Sequence, residues 1–95
     1  NLDCRKHVII GMMANKQHEK YISYFKNISS ITVVDIPNQP NSINGIELKK
    51  KFKNLKNVRY ENNILKAIKS INLGKGDILL ITGSLYLVGE VLNLN

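Results

Sequence analysis

The stretch "DILLITGSLYLVGEVL" (residues 77–92) decides the fold, because it joins two apolar runs through nothing but Gly83 and Ser84. The first run, ending at Thr82, is short and nearly unbroken, as in a strand buried on both faces. The second starts at Leu85 and carries Leu87, Val88, Val91 and Leu92, which suits a helix with little polar face. Gly83 then supplies a tight turn and Ser84 an N-cap. The same junction, a glycine and a serine between strand and helix, also suits small anions and carboxylates. Gly89 inside the helix costs about 1 kcal/mol relative to alanine and points to close packing against a neighbour.

Upstream the same alternation recurs. "HVIIGMM" (7–13) reads as a buried strand, and "KQHEKYISYFKNI" (16–28) spaces Tyr21, Ile22, Phe25 and Ile28 as a helix does. "SITVVDI" (30–36) is β-branched and forms the second strand. "PNQPNS" (37–42) is an irregular loop, and Ser42 is the expected cap of a helix running to about Leu55, with Glu47 in its first turns. "NVRYE" (57–61) is a short, polar third strand. "NNILKAIKSIN" (62–72) puts Ile64, Leu65, Ile68 and Ile71 on one helical face, and "DILLITG" (77–83) is the fourth strand.

Four β–α units in succession imply a Rossmann-like three-layer α/β/α fold, with a parallel sheet and right-handed crossovers. The polar third strand belongs at an edge and the first at the centre, giving the order 4-1-2-3. That order reverses direction between the first and fourth strands, and ligands of open α/β sheets bind outside the carboxyl ends of strands at such a switch point. Two loops are thereby selected, "GMMANKQ" (11–17) and "TGS" (82–84). The candidate binding residues are Gly11, Asn15 and Lys16 in one and Gly83 and Ser84 in the other. An ammonium and backbone amides at the head of a helix suit a carboxylate or phosphate.

Other motifs carry less. "GMMANK" has one glycine where a dinucleotide fingerprint needs three, so Asp35 reads as a loop or capping acid before a ribose ligand. His7 and His18 lie too far apart to build a metal site with Cys4, and His18 reads as a surface histidine. "LITGSLYL" is not a nucleophile elbow, and no Walker A sequence is present.

With 95 residues the chain fits a single domain (1–95). Its lone cysteine, Cys4, excludes an internal disulfide, and no apolar run approaches the roughly 20 residues of a membrane span. Residues 1–7 lack the apolar stretch of a signal peptide, and a reducing cytoplasm is expected. The net charge of +7 raises the question of nucleic acid. Yet 13 Asn, 13 Ile and 12 Lys beside two Ala and two Arg point to AT-rich coding as one source of that charge. In "KKKFKNLKN" (49–57), Leu48, Phe52 and Leu55 recur at helical spacing with lysines mostly opposite, a solvated helix face. No nucleic-acid or membrane partner is expected.

"VIIGMMANKQ", "IPNQPNSINGIEL" and "ILLITGSLYLVGEVL", in that order, resemble the carboxy-terminal domain of bifunctional dihydrofolate synthase/folylpolyglutamate synthase, of the Mur-ligase superfamily. The likeness runs from His7 to Leu92. It implies an ATP- and Mg²⁺-dependent ligase in which a folate or dihydropteroate carboxylate becomes an acyl phosphate, from which glutamate's amino group displaces phosphate. In that family the lysine of an Asp-Lys-Asp loop pairs with a glutamate carboxylate; the match here is Lys16, flanked by Asn15 and Gln17 instead of acids. Ser84 would hydrogen-bond the same substrate, and Tyr86 would pack. The family's Asp-Gly-Ala-His-Asn segment, P-loop and folate pocket are not in these 95 residues. The resemblance thus implies a domain lacking its first strand and helix, inactive alone, with a sheet edge open to self-association. Two rival readings are a free-standing anion- or nucleotide-binding α/β module and a basic nucleic-acid-binding domain.

Overall fold

A computed structural model describes residues 5–16, 18–23, 25, 27–52 and 57–83. Seven elements follow in chain order: β1 (Lys6–Ile10), α1 (His18–Ile22), β2 (Ser30–Val34), α2 (Gly45–Lys50), β3 (Val58–Glu61), α3 (Ile64–Ser70) and β4 (Ile78–Thr82). The four strands form one parallel sheet in the order β3-β2-β1-β4. Read from the other side, this is the 4-1-2-3 expected from the sequence. The last expected helix and Ser84, its expected cap, lie outside the described residues.

Alternation along the central strands divides the core between two layers. Val8, Ile10, Ile31 and Val33 point to one face, where Ile22 and Phe25 from the α1 region and Leu48 and Phe52 from the α2 region cover them. Ile9 and Val34 point to the other, under Ile64, Ala67 and Ile71 of the α3 segment. The face of β4 carrying Leu79 and Ile81 packs on this second layer. Its opposite face carries Ile78 and Leu80, 51% and 48% exposed.

Helix boundaries depart from expectation. The cap of α2 is Asn44, whose side chain accepts from the Ile46 amide at 2.8 Å, and not Ser42. Ser42 is still bridged to Met13 in an antiparallel pair, and the Ile43 amide donates to the Met12 carbonyl at 2.9 Å. Because these bonds hold the backbone extended, a helix cannot begin before them. The regular part of α2 ends at Lys50, where the Lys51 amide closes on Leu48 and Lys49; Leu55 lies outside the described residues. Lys50 pairs with Glu47 and Lys51 with Glu19, each at 3.3 Å, so part of the basic face is locally neutralised.

Hydrogen bonds fasten the amino ends of the strands. His7 Nδ1 lies 2.7 Å from Ser30 Oγ, while His7 Nε2 faces Asp77 Oδ2 at 3.7 Å, beyond hydrogen-bond reach. The backbone amides of Gly74 and Arg5 donate to Asp77 and hold its carboxyl below the usual range.

Candidate functional site

At the carboxyl ends of the strands the two selected loops meet. β1 and β4 run in register, Ile10 opposite Thr82, so Gly11 and Gly83 leave the sheet side by side. The Gly11 amide donates to the Thr82 carbonyl at 3.3 Å. Gly83 has φ +107°, a region closed to most side chains, and a Cβ there would collide with the Gly11 carbonyl oxygen and with Ile10 Cγ1 at 2.9 Å. Both dihedral and space therefore demand glycine. The turn was legible as a turn; that a second backbone fills the room of its missing side chain was not.

Past Gly11 the chain turns through exposed Ala14, Asn15 and Lys16. This turn is fastened to the loop after β2. The Ala14 amide donates to the Asn41 carbonyl at 2.7 Å, and the Met12–Ile43 and Met13–Ser42 contacts continue the seam. The Lys16 amide donates to the Met13 carbonyl at 3.4 Å. Gly11, Asn15, Lys16 and Gly83 thus share one end of the sheet, as the sequence argument requires. Ser84 follows directly in the chain but lies outside the described residues.

His18 departs from expectation. It is 6% exposed, and its Nε2 lies 2.9 Å from the Met13 carbonyl oxygen. Satisfying that carbonyl draws the ring inward, where a surface histidine would stay in water. His7, at the start of β1, lies at the other end of the sheet from His18.

Asp35, just past β2, caps α2. Its Oδ1 accepts from the Gly45 amide at 2.6 Å, and its Oδ2 accepts a very short hydrogen bond from the Tyr60 hydroxyl. Both carboxylate oxygens are therefore engaged by the protein, as befits a capping acid. The Tyr60 hydroxyl, giving its proton to a carboxylate and partly shielded from water, is pushed up to about 12. Gly45 has no room for a side chain, since a Cβ would lie 2.7 Å from Tyr60 Cδ1 and 3.1 Å from Asp35 Oδ1. The acid was legible as a cap; its pairing with Tyr60, 25 residues away, was not.

Among the described residues, no group of three or more His, Cys, Asp or Glu gathers where a metal ion could sit. The sequence holds no Walker A or G-x-G-x-x-G phosphate loop. Among the described residues no helix is long and apolar enough to cross a membrane.

No protein-family model and no curated protein matches the chain. Solved structures do. Folylpolyglutamate synthase from Thermotoga maritima is 27% identical, with a TM-score of 0.81 over 95% of this chain and 21% of its own. The enzyme of that name from Mycobacterium tuberculosis, complexed with ADP and AMPPCP, is 16% identical, with a TM-score of 0.81 over 95% of this chain and 23% of its own. The bifunctional folylpolyglutamate synthase/dihydrofolate synthase from Yersinia pestis, complexed with AMPPNP and Mn ion, is 14% identical, with a TM-score of 0.85 over 98% and 22%.

The chain has the fold of a folylpolyglutamate synthase domain. The two likenesses below 25% identity speak to fold alone; the Thermotoga maritima match also supports a domain of that enzyme kind. The chain spans about a fifth of the length of each folylpolyglutamate synthase named here.

Proposed function

We propose that this chain belongs to the carboxy-terminal domain of an ATP-dependent ligase that adds L-glutamate to folate or dihydropteroate. In this reading the crevice beside Gly11 and Gly83 receives the incoming glutamate. Lys16 pairs with a glutamate carboxylate through its ammonium. Ser84 and the Gly83 backbone hydrogen-bond the same substrate, and Asn15 flanks it. The observation that carries the reading is the in-register apposition of Gly11 and Gly83. It joins the two loops that resemble the family's glutamate-binding segments at one end of a sheet of the matching fold.

The chain's task is then to hold an amino acid in position, and positioning converts a bimolecular encounter into an oriented one. Nucleotide, divalent cation and folate are assigned to the remainder of a longer ligase, and the ligase itself to the cytoplasm. Lys16→Ala in the intact enzyme tests this. Loss of a charge-assisted contact raises the KM for glutamate about ten-fold or more with the thermal midpoint unchanged. Wild-type kinetics in that variant would remove Lys16 from the site and leave the reading without its cation.

A further inference from the structure

We propose that His18 is a positioning residue for the turn that carries Asn15 and Lys16; the inference rests on the reading of that turn as part of the glutamate site. The imidazole is buried, although the next two residues, Glu19 and Lys20, are exposed. Its Nε2 lies 2.9 Å from the Met13 carbonyl oxygen. A carbonyl has no proton to give, so Nε2 carries the hydrogen and donates it. The same carbonyl accepts the Lys16 amide at 3.4 Å, a long bond that constrains the turn weakly by itself.

The turn is therefore held on two sides. On one, the Ala14 amide is bonded to the Asn41 carbonyl at 2.7 Å. On the other, the ring of His18 fixes the Met13 carbonyl around which the turn closes. Asn15 and Lys16 form the exposed tip between these anchors. A flexible lysine on a fixed backbone loses less freedom when it meets a carboxylate than one on a mobile backbone. The ring bonds the backbone at Met13 and not the exposed tip, so removing it weakens substrate binding and leaves the chemical step alone.

The test compares His18→Leu, His18→Gln and Lys16→Ala in the intact enzyme. His18→Leu is expected to raise the KM for glutamate about five-fold, the worth of one hydrogen bond, with kcat held within about two-fold. Amide hydrogen exchange should quicken at Ala14 and Lys16 but not at Val8 or Val33. Glutamine presents an N–H to the same carbonyl, and His18→Gln is expected to restore most of both effects. A wild-type KM in His18→Leu, equal losses in the Leu and Gln variants, or faster exchange throughout the sheet would each overturn the proposal. The two layers of inference separate cleanly. A wild-type KM in Lys16→Ala overturns the glutamate reading and this proposal with it, whereas a raised KM there beside a wild-type KM in His18→Leu overturns the His18 proposal alone.

Discussion

Thr32 is a polar residue in the centre of the sheet, fully buried, and its hydroxyl has no hydrogen-bond partner among the described residues. On β2 it stands opposite Ile9 of β1, and both belong to the strand face covered by α3. Burying a hydroxyl without a partner costs about 1–3 kcal/mol, and valine has nearly the same shape. Thr32→Val is therefore expected to stabilise the fold by about that amount, seen as a higher denaturant midpoint with unchanged slope. A lower midpoint would mean that the hydroxyl has a partner in solution. Gly83 shows the opposite economy at the same scale, a residue whose value lies in having no side chain. The sequence marked Gly83 as a turn through its type and place. It carried no mark of Thr32's isolation or of His18's burial, because both depend on what other parts of the chain bring near.

At the scale of elements, the strands were legible and the helix limits were not. Unbroken apolar runs and one polar strand were enough to order the sheet, since burial on two faces leaves a pattern in the residues themselves. Helix ends depend on competition for backbone groups. Ser42 has the chemistry of a cap, but the seam between the loops after β1 and β2 takes its backbone first. The α2 start is instead pinned by Asn44 and by Asp35, which also joins it to β3 through Tyr60. Since the Tyr60 hydroxyl is raised in the folded state, its contribution is complete below about pH 10, the ordinary tyrosine value, and is lost as pH rises through about 12. Alkaline melting should therefore steepen across that window in the wild type and much less in Tyr60→Phe. Absorbance titration of the phenol groups is expected to show one tyrosine ionising late, and its absence would refute the pairing.

Over the whole molecule, charge and composition narrowed the partner less than topology did. The order of the strands alone chose two loops out of the chain, and four of the five candidate residues lie among the described residues at that end of the sheet. The fifth, Ser84, was legible only as a neighbour of Gly83. With no phosphate loop in the sequence, calorimetry on the 95-residue chain is expected to show no ATP binding in the micromolar range. Tight, stoichiometric heat would place a nucleotide site within it and overturn the division of labour proposed above.

The central strand also has a consequence for the order in which the fold assembles. β1 is flanked by β2 on one side and by β4 on the other, Lys6 pairing with Ile78. During synthesis the first of these pairings is available as soon as Val34 has emerged, but the second waits for residues 78–82. Until then β1 offers an open hydrogen-bonding edge beside a finished one, a condition in which nascent chains join one another. Contacts of such long sequence separation also form slowly. The same connection that brings Gly83 beside Gly11 thus makes the crevice the last part of the sheet to exist, and ties its appearance to the ribosome's progress through β4.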